Sequence, residues 1–334
     1  MCWRRARAAE DVEAEVAAAF GPFVVLFGED GADEADEGVA VGEDADDVAS
    51  QCPPAQKPRW AEDRRKHKRT AMFCLVAVSD DSQKAISHMD DPGDPSQAWA
   101  ELAPDYERAR SREDSLDRLV EWPAQRDLLG DVTGRSVLDV GCGNGGKLAE
   151  LVGDGAAASV GVDVSGNFLS APPPGLDLIR GDLNELDSMP ELAGRTFDRI
   201  LFLQSFGYAK DPVRTLQTGR AMLADNGFIL LTKTQPIRYA VERAEQNETS
   251  LGEEYFSAAR FSYLSGWNDQ ITLTKRPYTI SDLINVFSAA GLWIETAIEP
   301  QLSEDARRRY PHKQAWMNKY LGILIFKLRP HSGQ

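Results

Sequence analysis

Closely spaced cysteines are missing from this chain. Its four cysteines, Cys2, Cys52, Cys74 and Cys142, are scattered along 334 residues, which excludes zinc-ligand spacing and a disulfide framework; no metal site is expected. A reducing compartment follows, and the cytoplasm is the expected location. Long apolar runs are also missing. The most apolar N-terminal window, "VAAAFGPFVVLFG", follows Glu10, Asp11, Glu13 and Glu15, whereas a secretory signal carries positive charge before its apolar core. It is well short of the roughly 20 residues of a membrane span, so neither a targeting segment nor a membrane partner is expected. Internal repeats are absent too.

Basic clusters with interleaved aromatics are lacking from residue 89 onward, which argues against a nucleic-acid partner. The formal net charge is -16. Much of it comes from Glu29, Asp30, Asp33, Glu34, Asp36, Glu37, Glu43, Asp44, Asp46 and Asp47, with no Lys or Arg among them. The remainder is closer to neutral. Residues 1–88, which include the basic stretch "QCPPAQKPRWAEDRRKHKRT", hold no sustained period of 2 or 3.6 and read as a disordered extension. An over-extended reading frame, with the start at Met72 or Met89, is the other explanation.

From Asp90 the punctuation becomes regular. "QAWAELAPDYERARSREDSLDRLVEWPAQRDLLGD" has helical spacing, with breaks expected at Pro104 and Pro123 and therefore two or three helices. Short apolar runs follow at 136–140, 159–164, 176–180, 197–203 and 227–232, separated mostly by helical patterns such as "GGKLAELV" and "DPVRTLQTGRAMLA". Apolar strands alternating with helices predict an α/β fold with a mainly parallel sheet covered on both faces. Later, Thr279 or Ser281 can cap a helix that ends at Gly291, before strand candidates "LWIETAIE" and "YLGILIFKL". "PPP" at 172–174 predicts that the second crossover helix is cut to about two turns or replaced by a rigid loop.

The densest chemistry lies in "SVLDVGCGNG". A strand, closely spaced glycines and a helix start let a ligand approach the backbone at the carboxyl end of a sheet. Gly141, Gly143 and Gly146 satisfy G-x-G-x-x-G, and Asp163 lies 20 residues after Gly143, which by itself also suits a nicotinamide dinucleotide. Asp139 argues otherwise. A carboxylate two residues before the first glycine repels a pyrophosphate but suits an ammonium and a sulfonium.

"VLDVGCGNG" resembles the first motif of class I S-adenosylmethionine-dependent methyltransferases. "GVDVS", "IRGDLNEL", "FDRILFLQSFGYAKDP" and "LADNGFILLT" follow in that family's order, over roughly residues 100–328. "EWPAQ", "AIEPQ" and "TQPIRY" are similar to features of its small-molecule (type 11/25) branch. The resemblance implies a Rossmann-like, doubly wound, seven-stranded, mainly parallel sheet with helices on both faces. An N-terminal helical lid and a substrate-side insertion at 236–278, after the fifth strand, belong to the same expectation, within a domain at 89–334.

The implied cofactor is S-adenosyl-L-methionine, with S-adenosyl-L-homocysteine as product. By the same resemblance Asp139, Gly141, Gly143 and Gly145 would hold its methionine portion, and Cys142 of the same turn counts among the cofactor-binding residues as a small packing side chain, not a nucleophile. Asp163, followed by Val164, would accept from the ribose hydroxyls. Asp182 and the Leu183 backbone N–H would meet adenine, Gln204 would face the methionine end, and Tyr106 is a candidate lid. Each has a plainer rival: Asp163 as a turn cap, Asp182 as a cap for "LNELD", Tyr106 as a core or surface aromatic.

The implied activity is methylation of O, N or C on a small molecule, including natural products and secondary metabolites, by a monomer or homodimer. Histidines that similar enzymes carry before Tyr208 and Pro236 are replaced here by Gly207 and Gln235. Tyr208, His312 and Glu299 are left as polar candidates on the substrate side. Transfer by proximity alone, or with a non-histidine base, are both open, the first preferred. Tyr239, Tyr255, Phe256, Phe261, Tyr263 and Trp267 would line an acceptor pocket or form the insertion's own core. An NAD-dependent oxidoreductase, a non-catalytic module and a peptide or protein methyltransferase are the alternatives.

Overall fold

The computed structural model describes residues 95–258 and 261–331; the extension expected over 1–88 lies outside them. Within this span Val, Ile, Leu and Phe are concentrated in short runs that can be buried on both faces, as a parallel sheet requires. Five such runs form β1 (Ser136–Val140), β2 (Ala158–Asp163), β3 (Asp177–Arg180), β4 (Phe197–Leu203) and β5 (Leu223–Thr234). They pair in parallel, for example Leu138 with Val160 and Ile200. Two more strands, β8 (Leu292–Ile298) and β9 (Ile323–Pro330), complete the sheet in the order β3-β2-β1-β4-β5-β9-β8, with β9 antiparallel to both β5 and β8. The strand order reverses between β1 and β4. That switch point opens a crevice at the strands' carboxyl ends.

Alternation along each strand sends side chains to two apolar layers. Leu138, Val140, Val160, Val162, Ile200 and Phe202 enter one, and Val137, Leu148, Leu151, Leu201, Phe228 and Leu230 the other. Asp139 takes the face of Val137, yet is 2% exposed. A carboxylate in an apolar layer needs a reason.

Helices α1 (Ser96–Arg110) and α2 (Trp122–Leu129) precede the sheet, with a turn of π-helix at Asp117–Glu121 between them. Pro123 starts α2 as expected, whereas Pro104 lies inside α1 and does not break it. The proline cannot donate to the Ala100 carbonyl; the Asn167 side chain does so instead, at 2.7 Å. Helix α3 (Gly146–Gly153) follows β1 and α4 (Pro212–Ala221) follows β4. Between β2 and β3 a 3-10 turn at Phe168–Ser170 and the proline run replace the crossover helix. Helix α7 (Ile280–Ala289) starts with a reciprocal capping box, the Thr279 N–H donating to Asp282 and the Asp282 N–H to Thr279 Oγ1. Helices α8 (Glu304–Arg309) and α9 (Pro311–Tyr320) separate β8 from β9. Tyr320 therefore ends a helix, and the last strand begins at Ile323.

The segment after β5 folds as α5 (Pro236–Asn247), α6 (Leu251–Phe256) and a hairpin of β6 (Phe261–Leu264) and β7 (Thr272–Lys275). A buried ion pair, Arg243 to Glu254 at 2.7 Å, ties α5 to α6. Ile271 and Leu273 of the hairpin pack on Leu102 and Trp99 of α1, and Asn268 Nδ2 donates to Asp105 at 2.7 Å. The early helix and the late insertion thus make one roof.

Candidate active site

Beneath that roof, at the switch point, lies a cavity of about 590 Å³. Its floor is the turn after β1. Gly141 has φ of +83° and lies so close to β4 that a Cβ would sit 2.4 Å from that of Ser205, so no other residue fits. The Ser205 hydroxyl donates to the Val140 carbonyl and closes this contact. Gly145, at φ +78°, packs against Leu176 and Leu178 instead of the cavity; its role is to turn the chain into α3. Cys142 covers Gly161, where a Cβ would meet its Sγ at 2.5 Å. Burial pushes its thiol far up, chiefly by desolvation and then by the carboxylates of Asp139 and Asp163, so it packs and does not attack.

Two carboxylates flank the turn. Asp163 is buried at the end of β2, with Oδ2 accepting from the Gly143 N–H at 2.8 Å and Oδ1 from the Ser165 N–H at 2.9 Å. Desolvation still raises its pKa against those donors. Asp139 is more exposed to this effect: its Oδ1 has no hydrogen-bond partner among the described residues. Burial pushes its carboxyl up to about 7, opposed mainly by Lys147.

The cations that line the cavity are Arg110 of α1, Lys147 of α3 and, on the π-turn, the exposed Arg118. Lys147 Nζ lies 2.9 Å from Asp117, donates to Gln125 Oε1 at 2.8 Å and sits 4.9 Å from the Trp122 ring centroid. Arg110 pairs with Asp117 and donates to the Tyr106 hydroxyl. Glu107 of the same helix accepts from Asn144 Nδ2 at 2.7 Å and so joins α1 to the glycine turn.

On the far wall Asp182 Oδ1 accepts from the Asn184 N–H at 3.0 Å and from its Nδ2 at 2.7 Å, which realises the cap reading; Oδ2 is turned to neither. Val164, Leu183 and Gln204 line the cavity as well. Gln204 takes a φ of +69°, a strained conformation for a non-glycine residue at the end of β4. Tyr106 lines the roof with ring neighbours Trp99, Phe168 and Trp267 at 5.3, 5.9 and 4.8 Å. Tyr208 is 7% exposed and its hydroxyl has no close acceptor; desolvation raises its pKa far above the ordinary phenol value.

His312 and Glu299 are not brought to the cavity. His312 is exposed on α9 beside Tyr310, and Glu299 is exposed, accepting from Gln235 Nε2 at 2.8 Å. Reading the sequence alone missed Arg110, Lys147, Trp99, Phe168 and Asn144 at the cavity wall. A lysine on the first turn of the apolar helix "GGKLAELV" was the one visible signal for Lys147.

Residues 105–296 match a family model described as a methyltransferase domain. This chain belongs to the methyltransferase family. It is 26% identical over 211 residues to an uncharacterised protein of Haemophilus influenzae, covering 60% of this chain and 83% of that one. With the tRNA U34 carboxymethyltransferase of Aeromonas salmonicida it shares 32% identity over 119 residues, 33% of this chain and 36% of the enzyme. Only about a third of that relative's length is thus matched. In fold this methyltransferase is similar to a structure from Listeria monocytogenes assigned as an S-adenosylmethionine-dependent methyltransferase, with TM-score 0.53 and 17% identity over 64% of this chain and 97% of that one. The plantazolicin methyltransferase BamL, solved with S-adenosylhomocysteine, has TM-score 0.50 and 16% identity, covering 74% and 98%. The methyltransferase uses S-adenosyl-L-methionine.

Proposed function

We propose that this methyltransferase transfers its methyl group to a small molecule, and that the cofactor lies in the cavity between the glycine turn and the α1 roof. The carrying observation is Asp139: a buried carboxylate with a free oxygen at the cavity floor needs a cation. A sulfonium-bearing amino acid fits that need, and the backbone at Gly143, where a Cβ would meet nothing closer than Phe168 at 3.9 Å, leaves room for it. Asp139 would pair with the ammonium group, and Arg110 and Lys147 would face the carboxylate. Asp163, already braced by two backbone donors, would accept from the ribose hydroxyls. Asp182 Oδ2 and the Leu183 N–H would meet adenine, and Gln204 the methionine end.

When bound, S-adenosylmethionine supplies a methyl already made electrophilic by positive sulfur. What the chain adds is alignment and dryness. Trp99, Tyr106 and Trp267 cover the cavity against water. Tyr208 keeps its proton at neutral pH, so its hydroxyl donates to the acceptor and positions it; it is not a base. With His312 and Glu299 outside the cavity, proximity carries the transfer onto an atom that is already nucleophilic.

Calorimetric titration with S-adenosylhomocysteine and NAD tests this. Expected is micromolar binding of the adenosyl compound alone, weakened at least roughly 30-fold in Asp163→Ala through two lost charge-assisted hydrogen bonds. Binding of NAD in its place would overturn the assignment. The identity shared with tRNA carboxymethyltransferases favours one second reading, an RNA acceptor. Transfer of labelled methyl to bulk tRNA, with none to small-molecule extracts, would select it.

A further inference from the structure

Behind Tyr208, away from the cofactor cavity, is a group of cations and phenols that the reaction described above does not use. Lys233 sits on β5 at 2% exposure, its Nζ 4.8 Å from the Tyr278 ring centroid and 5.9 Å from that of Tyr239. Gly207 leaves it room: a Cβ there would lie 3.0 Å from Nζ. Lys275, half-buried on the roof hairpin, reaches in with Nζ 5.4 Å from the Tyr263 centroid. Among the described residues neither lysine forms an ion pair with a carboxylate. The groups acting on Lys233 are Tyr239, Lys275 and Arg276, and burial pulls its ammonium down to about 8. Arg276 donates to the Lys210 carbonyl at 3.4 Å; Asp211 and Asp282, whose carboxylates act weakly on Tyr278, are engaged as helix caps, accepting from the Arg214 and Thr279 N–H groups. The hydroxyls of Tyr208 and Tyr278 are buried without an acceptor.

Two like charges brought together in a dry site, with two unsatisfied donors beside them, are costly in the absence of an anion. An oxyanion offsets every part of that cost at once. We propose that Lys233 and Lys275, with the phenols of Tyr208, Tyr239, Tyr263 and Tyr278, form a subsite for an ionised carboxylate or phosphate on the methyl acceptor. Tyr208 belongs to both the cofactor cavity and this group, so the anion fixes the acceptor beside the transferred methyl. The inference rests on the methyltransfer reading and narrows its acceptors to small acids, those with a flat or aromatic body suiting a site built from phenol rings.

The test uses the full chain saturated with S-adenosylhomocysteine. Benzoate, phenyl phosphate and neutral benzamide are then titrated by calorimetry. At least one anion is expected to bind about tenfold more tightly than benzamide, and Lys233→Met and Lys275→Met each remove that margin while leaving S-adenosylhomocysteine affinity unchanged. Which anion wins distinguishes a carboxylate acceptor from a phosphorylated one. Failure of S-adenosylhomocysteine to bind would count against the cofactor assignment; normal binding with no preference for either anion, or a preference that survives both substitutions, overturns the subsite. Should Lys233→Met not fold, the half-buried Lys275→Met carries the same comparison.

Discussion

Burial holds the Asp139 carboxyl at about 7, so near neutral pH it shares its time between a proton and a charge. In the folded chain the proton is held more tightly than in the unfolded one. Stability of the unliganded protein therefore falls as pH rises from the ordinary carboxylate value, about 4, through 7. Cofactor binding has the opposite sign, because an ammonium pairs with the ionised form. We expect S-adenosylmethionine affinity to weaken up to about tenfold per unit as pH drops below 7, with proton release on binding. Calorimetry at pH 6 and 8 in buffers of different ionisation enthalpy reads both. Asp139→Asn should abolish the proton release and raise the melting temperature of the unliganded protein at pH 8. Asp139, Gly141 and Asp163 were legible in the sequence because one short motif and one fixed offset carry them. Lys147 and Arg110 were not, since their partner Asp117 and the cavity they share are set by how α1 and the π-turn fold back.

At the scale of elements the roof is the unit that moves or holds. Helix α1 is tied to the glycine turn through Glu107 and Asn144, to the β2–β3 loop through Asn167, and to the hairpin through Asp105 and Asn268. Cutting one tie should loosen the cover without removing any residue from the floor. Asn268→Ala is expected to raise the S-adenosylhomocysteine dissociation constant roughly three- to tenfold, nearly all of it in the off-rate, with little change in melting temperature. Stopped-flow displacement checks this; an unchanged off-rate would mean the hairpin does not gate the cavity. The expected break at Pro104 failed for a related reason. Part of what a proline costs a helix is the donor to the carbonyl four residues back, and the Asn167 side chain, which replaces that donor from 67 residues beyond Ala100, is invisible to local reasoning.

At the scale of the whole described domain, the seven-stranded sheet and the roof enclose the cavity at the switch point, so ligand and fold are linked. A ligand at 100 times its dissociation constant adds about 2.7 kcal/mol to stability. For a domain of this size that is a rise in melting temperature on the order of 5–10 °C. Saturating S-adenosylhomocysteine should produce it in the wild type, and NAD should not. In Asp163→Ala the shift at the same ligand concentration should shrink to about a third or less, and the unliganded melting temperature should fall as well, because the Gly143 and Ser165 N–H groups lose their acceptor. Differential scanning calorimetry separates these two effects. Among the described residues no helix is long and apolar enough to cross a membrane.

The sequence by itself determined the alternation of strands and helices, the mainly parallel sheet, the glycine turn with its two carboxylates, and the loss of the second crossover helix at the proline run. These follow from local rules: side-chain period, backbone sterics and fixed spacing within a motif. Tertiary structure alone decided which polar candidates share a cavity. It set His312 and Glu299 aside, brought Lys147 and Arg110 to the cavity wall, and gathered Lys233 and Lys275 with Tyr208 from three distant stretches of chain. Such groups meet only when the sheet's strand order and the insertion's packing bring them together, and no periodicity along the chain encodes that distance.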